Sequence, residues 1–436
     1  MAQRICAVFH WRSTNWYSFP PLVYSLKQLR KTIPMIEIMF QEKIDSQFAL
    51  DLVEKYDLSL ILDSFQSTEA SRVSQEMQHR NTYPFSELIF VAGGSHASGD
   101  PLGTLRMGFD YVVVGEGEET LKQLLISLIL NRDFKNIPEG VGRLLNGKNL
   151  DFKPNRRTVD LNNYQPYITH PRSLHPPIEI ARGCPFGCRF CQVSYLFGYK
   201  PRYRSLETID RIIRHYCRQF QKNVQIRLIT PNFLGYGSKT GRKPNLRALM
   251  GLLEVIRSYP VDLFAGTFPS TVRPDFLNEE TTRLLSQNAA NNRISMGVQS
   301  GSQRILANIC RRGHSLDIVT KSHEFLEEAG LKSTPDFIFG IPGETPSDQW
   351  ETLDFMRFLI DMFDARPRIH HFLPLPGTPL AIYPPAPIDP EVWKGLCQLT
   401  SQELAEGHFT KQQRIISEFP FIKSEAKHPL SSSPKS

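Results

Sequence analysis

Cys184-Pro185-Phe186-Gly187-Cys188-Arg189-Phe190-Cys191 gathers three of the chain's 7 cysteines into one C-x3-C-x2-C stretch. Thiolates this close repel one another unless a cation lies among them, and soft sulfur donors select zinc or iron–sulfur clusters. A structural zinc site needs a fourth ligand close by, yet the nearest histidine, His215, lies 24 residues beyond Cys191. A [4Fe–4S] cluster normally takes four cysteines, so three would leave one iron open to a substrate or cosubstrate. Ile178–Ala181 reads as a short strand running straight into this loop. A catalytic loop at the carboxyl end of a strand is the placement found in βα-barrels. Further βα units follow at suitable spacing, with strands expected over 224–230, 262–267, 293–299, 334–339 and 368–373. Six units predict a partial barrel open on one side.

Later strand ends carry further patterns: Pro269-Ser270-Thr271-Val272-Arg273-Pro274, Ser295-Met296-Gly297-Val298-Gln299-Ser300-Gly301-Ser302, Asp336-Phe337-Ile338-Phe339-Gly340-Ile341-Pro342-Gly343-Glu344-Thr345 and Phe372-Leu373-Pro374-Leu375-Pro376-Gly377-Thr378-Pro379. Each alone is weak, but their order, one per strand after the cysteine loop, resembles the radical S-adenosylmethionine (SAM) superfamily. The resemblance implies a [4Fe–4S] cluster on Cys184, Cys188 and Cys191, with SAM chelated by the open iron and cleaved to a 5′-deoxyadenosyl radical by one electron. It also implies SAM contacts from Phe190, Ser270, Arg273, Gln299, Ser300 and Gly340. The second strand ends in Thr230-Pro231-Asn232-Phe233, without the acidic pair some relatives show there.

Upstream, strands expected over 4–11, 36–40, 58–65, 88–92 and 111–114 alternate with helical patterns. That alternation argues for a doubly wound parallel sheet, whose ligands sit beyond the carboxyl ends of the strands. The fold class is therefore α/β: a flavodoxin- or Rossmann-like domain followed by a partial (β/α)6 TIM-like barrel. The turns at Gly93-Gly94-Ser95-His96-Ala97 and Val114-Gly115-Glu116-Gly117 resemble those of the cobalamin-binding domain preceding many radical SAM enzymes. That resemblance implies cobalamin (B12) contacts at Gly93, Gly94, Gly115, Glu116 and Gly117. The loop after the first strand, Trp11-Arg12-Ser13-Thr14-Asn15-Trp16-Tyr17, lacks the D-x-H-x-x-G of proteins that ligate cobalt through histidine. A flavodoxin-like scaffold without cobalamin is the alternative.

The domains expected are 1–140, a hairpin and proline-bearing linker over 141–175 (Asn146-Gly147 at the turn; Pro166 and Pro171, with Pro176 and Pro177 next), the barrel over 176–388, and a C-terminal helix with a disordered Ser/Pro/Lys-rich tail over 389–436. With 40% hydrophobic and 22% charged residues, the composition is that of a globular protein. No apolar run approaches a membrane span, and Arg4–Phe9 lacks the order of a signal peptide. A cytoplasmic enzyme is the expectation, served by a ferredoxin or flavodoxin as electron donor. Net charge is +7. The densest basic stretch (Arg202, Arg204, Arg211, Arg214, Arg218, Lys222) lies largely on a predicted helix and reads as a solvated face rather than a nucleic-acid stripe. The function expected is methyl transfer to an unactivated carbon of a small molecule. The alternatives are cyclisation, rearrangement or oxidation without methyl transfer, modification of RNA or protein, and a non-enzymatic metal-binding module.

Overall fold

The computed structural model describes residues 4–31, 33, 36–82, 85–129, 136–155, 157–167, 177–220, 224–311 and 313–418. Pro171, Pro176, Lys222 and the expected disordered tail lie outside these residues. The chain divides into two compact units. One takes in the described residues up to Tyr167 with Leu375–Gly377, and the other holds the remainder from Pro177.

The first unit is a sheet of seven strands: β1 (Ile5–His10), β2 (Ile36–Gln41), β3 (Leu58–Ser64), β4 (Leu88–Gly93), β5 (Tyr111–Val113), β6 (Val141–Leu145) and β7 (Asn149–Phe152). Their order is β2-β1-β3-β4-β5-β6-β7. The first five are parallel in the flavodoxin-like order. Strands covered on both faces read as continuous apolar runs rather than alternating ones, and β1 shows why. Ile5, Ala7 and Phe9 share a core with the helices Phe19–Leu29 and Gly117–Ile129. Cys6 and Val8 face the opposite core, shared with Ser46–Lys55 and Ala70–Gln78. The hairpin forms as expected, with positive φ at both Asn146 (51°) and Gly147 (69°), as a type I′ turn requires. It is not a detached connector, because β6 pairs antiparallel with β5 and extends the sheet. The chain after Gly94 also departs from a simple turn, since Gly94–Gly99 and Pro101–Arg106 are helical.

The second unit runs from β8 (Ile178–Glu179) through the ribbon β9 (Ala181–Arg182) and β10 (Arg202–Tyr203) to β11 (Val224–Ile229), β12 (Val261–Phe264), β13 (Arg293–Gln299), β14 (Lys332–Phe339), β15 (Arg368–His371) and β16 (Glu406–Gly407). The parallel ladders β8-β11-β12 and β13-β14-β15-β16 form the barrel wall. They meet where the Ser295 N–H donates to the Gly266 carbonyl and Val272 bridges Met296. Helices such as Leu206–Phe220 and Pro346–Phe363 cover the outside. The wall extends one strand beyond the six expected, because Glu406–Gly407, read as part of a C-terminal appendage over 389–436, lies parallel to β15. The expected C-terminal helix spans Pro390–Ser401.

Candidate active site

The cysteine loop hangs from β8 and is closed at its base by the β9–β10 ribbon, where Arg182 faces Arg202. Gly183 must be glycine: its φ is +89°, and a Cβ there would lie 2.8 Å from the Lys200 carbonyl oxygen. The Cys184 N–H donates to the Gly198 carbonyl at 3.1 Å and the Cys191 N–H to that of Cys188 at 3.0 Å. Ser194 stitches the loop together, its hydroxyl donating to the Cys184 carbonyl and accepting from the Gly187 N–H. Tyr195 donates its hydroxyl to the Gly187 carbonyl and packs edge-on to Tyr199. Both rings support the loop.

The donor set bears on what the loop can hold. A structural zinc site closes on four ligands, whereas the loop offers three free thiols, at Cys184, Cys188 and Cys191. Three cysteines suit a [4Fe–4S] cluster with one iron left open. Burial pushes the Cys191 thiol up to about 12 and raises Cys184 as well. A bound metal cation would favour both as thiolates.

The expected SAM residues all lie on the second unit but divide by role. Gln299 ends β13 in the left-handed region (φ +81°), at an irregularity in register with β14. Arg273 is buried, paired with Asp275 at 2.9 Å and laid flat over the Phe186 ring at 3.4 Å. Burial, then the neighbouring Arg311 charge, lowers its pKa. It braces the cysteine loop from behind. Phe190 packs against the cluster of Ile305, Leu306, Ile309, Ile341, Phe372 and Leu380.

Ser270 and Ser300 are both fully buried. The Ser270 hydroxyl donates to the Thr267 carbonyl, and that of Ser300 lies 3.1 Å from Thr352 Oγ1 while accepting the Ser302 N–H. They shape their strand ends. Gly340 likewise commits both backbone groups, its N–H donating to Glu344 Oε2 and its carbonyl accepting from Ala386. Asn232 accepts the Arg273 N–H through Oδ1, and its amide nitrogen is buried without a partner.

Sequence reasoning missed Arg311, His314 and Glu344. Arg311 reaches Cys188 Sγ at 3.5 Å. His314 bridges Arg273 and the Gly297 carbonyl, and burial holds its imidazole strongly toward the neutral form. Burial raises the Glu344 carboxyl to about 7. Only Gly343-Glu344 hinted at the last of these, and nothing local marks the other two. Of the basic stretch, Arg204 is buried and donates to the Glu179 carbonyl, while Arg214 pairs with Asp210. These arginines are engaged within the fold.

On the first unit, Gly93 and Gly94 end β4, and Gly115, Glu116 and Gly117 follow β5. Gly94 and Gly115 have φ of +90° and +84°, and a Cβ on Gly115 would meet nothing within 4 Å. Glu116 is engaged internally, its carboxylate accepting the Val159 N–H at 2.7 Å. His96 is buried against Phe65, with Nδ1 at 3.1 Å from Ser67 Oγ and Nε2 unpartnered. At the carboxyl ends of β1 and β3, Arg12 pairs with Asp63 and with Glu76, and His10 Nδ1 lies 3.0 Å from Asp63. The guanidinium already supplies the cation for this cluster.

Residues 178–356 match the family model described as the radical SAM superfamily. The chain is 26% identical to an uncharacterized protein of Methanopyrus kandleri, over 79% of this chain and 73% of that one. It is 29% identical to an uncharacterized methyltransferase of Pyrococcus horikoshii, over 68% of this chain but only 63% of the relative. In fold it is similar to the radical SAM methyltransferase TsrM of Kitasatospora setae with cobalamin and a [4Fe–4S] cluster bound, at TM-score 0.67 and 16% identity, covering 88% of this chain and 75% of that one. Another structure of TsrM holds tryptophan as substrate. Among the described residues no helix is long and apolar enough to cross a membrane. A radical SAM domain implies a [4Fe–4S] cluster and SAM, which the three thiols of the loop could hold, and it is residues 178–356 of the chain that carry this domain.

Proposed function

We propose that the chain is a cobalamin-using radical SAM methyltransferase acting on an unactivated carbon of a small molecule. Bound at these sites, a [4Fe–4S] cluster and SAM would supply a 5′-deoxyadenosyl radical for hydrogen abstraction, and cobalamin a methyl carrier. Cys184, Cys188 and Cys191 would hold the cluster. Arg273 and Phe186 brace the loop, and Arg182 with Glu179 fastens its base through hydrogen bonds of 2.8 Å. Gln299 and the amide of Asn232 are the strand-end groups we assign to SAM. Gly93, Gly94, Gly115 and Gly117 would let the backbone approach a corrin, while Glu116 secures the turn. No protein histidine from the loop after β1 is assigned to cobalt. A low-potential donor such as a ferredoxin or flavodoxin would supply the electron.

The observation that carries this reading is the loop of three free thiols, Cys184, Cys188 and Cys191, at the carboxyl end of the first barrel strand. Anaerobic reconstitution should give about four irons per chain and release 5′-deoxyadenosine from SAM. Cys184→Ala should lose both. Equal SAM cleavage by Cys184→Ala would sink the radical reading. A corrin absorbance that does not co-elute with the chain after loading with hydroxocobalamin would remove methyl transfer and leave a radical rearrangement or oxidation.

A further inference from the structure

The helix Gln303–Asn308 ends with Cys310 in the left-handed region, φ +55°, a conformation L-residues other than glycine seldom adopt. That twist brings the next residue back over the cysteine loop, with the Arg311 N–H donating to the Leu306 carbonyl at 2.9 Å. The loop is tied to the same turn, because the Arg189 N–H donates to the Ile309 carbonyl and its guanidinium to the carbonyl and side chain of Asn308. The Arg311 guanidinium then spans two elements. Nη1 points at Cys188 Sγ at 3.5 Å, and Nη2 donates to the Gly297 carbonyl on β13 at 2.5 Å. Gly297 leaves room for this, since a Cβ there would fall 2.7 Å from Nη2. The same carbonyl accepts from His314 Nε2 at 3.0 Å, while His314 Nδ1 accepts from Arg273. The guanidinium is thus locked against a buried cysteine sulfur, and its Nε is buried without a partner.

We infer that Arg311 is a positioning residue that sets the reduction potential of the cluster bound through Cys188. This rests on the cluster assigned under the proposed function. One-electron reduction by a low-potential donor adds a negative charge to the cluster. A fixed cation and an N–H···S bond to a ligand sulfur favour that added charge and raise the potential. A lysine would keep the charge but lose the two-pronged geometry that joins Cys188 to Gly297.

The test is EPR-monitored potentiometry of anaerobically reconstituted full-length chain. Arg311→Met should bind as much iron as the unmodified protein, with its midpoint shifted to more negative potential, and Arg311→Lys should fall between the two. A full iron complement with an unchanged midpoint in either variant would overturn the inference. If Arg311→Met does not fold or load, Arg311→Lys decides alone by the same criterion. Failure of both variants to take up iron, folded or not, would also overturn it, assigning Arg311 to assembly or structure instead. If the unmodified chain takes up no four-iron cluster, the proposed function fails first and separately.

Discussion

Glu344 shows how a single buried group writes a pH dependence into the barrel. Its Oε2 accepts from the Gly340 N–H at 2.6 Å and from Gln349 at 3.3 Å, while Oε1 is buried without a partner. Burial raises its pKa from 4.5 to about 7. Between those values the folded chain keeps a proton that the unfolded chain has lost, so stability falls as pH rises through the window and the full cost is present above about pH 7. A shift of this size corresponds to about 3 kcal/mol. Glu344→Gln should therefore gain on the unmodified protein in denaturant midpoint as pH is raised from 5 to 8, and an unchanged difference would refute the assignment. Arg12 makes the opposite case. Burial alone would raise the Asp63 carboxyl, but the hydrogen bond to His10 and the Arg12 charge outweigh it and hold it ionised. Arg12→Met should cost about 3 to 5 kcal/mol in urea unfolding, because it strands a buried charge. Adding Asp63→Asn should recover most of that loss. Neither residue stands out in the sequence: Arg12 and Asp63 are 51 positions apart, and only the pairing of β1 with β3 makes them neighbours.

At the scale of elements, the end of β13 depends on close approach. A Cβ on Gly301 would lie 2.7 Å from both the Glu351 carbonyl oxygen and Thr352 Cα, and 2.8 Å from Phe355 Cβ. Two of these are backbone atoms of the helix Pro346–Phe363 and cannot rotate away. Gly301→Ala should cost about 3 kcal/mol through overpacking, read as a lower thermal midpoint. A variant as stable as the unmodified chain would show that the strand end and helix can part without penalty. The motif Gln299-Ser300-Gly301-Ser302 was legible as a strand end resembling a SAM-contacting element. Its division of labour was not, because the Ser300 hydroxyl's partner, Thr352, lies on a helix that periodicity places only roughly. The helix itself is well announced: Thr345 caps it in a box with Asp348, and Pro346 opens it.

The molecule as a whole joins two cores, and the cofactors proposed belong to different ones. If each binds as assigned, hydroxocobalamin should slow amide exchange at the carboxyl ends of β4 and β5, since a ligand that binds only the native state stabilises what it contacts. SAM added to the reconstituted cluster should instead protect the ends of β13 and β14. Protection by hydroxocobalamin confined to the barrel strands would reject the placement of its site on the first unit.

The linear chain by itself determined that two α/β units follow one another and that a three-thiol loop opens the second. Strand and helix periodicity, turn glycines and cysteine spacing are local properties, readable within a few residues. Tertiary structure decided what the neighbours of that loop do. It brought Arg273 and Arg311 to the thiols, turned Ser270 and Ser300 inward, added the hairpin to the first sheet and Glu406–Gly407 to the barrel wall. Those outcomes depend on strand order and register across tens of residues, where the energy lies in contacts that no local pattern encodes.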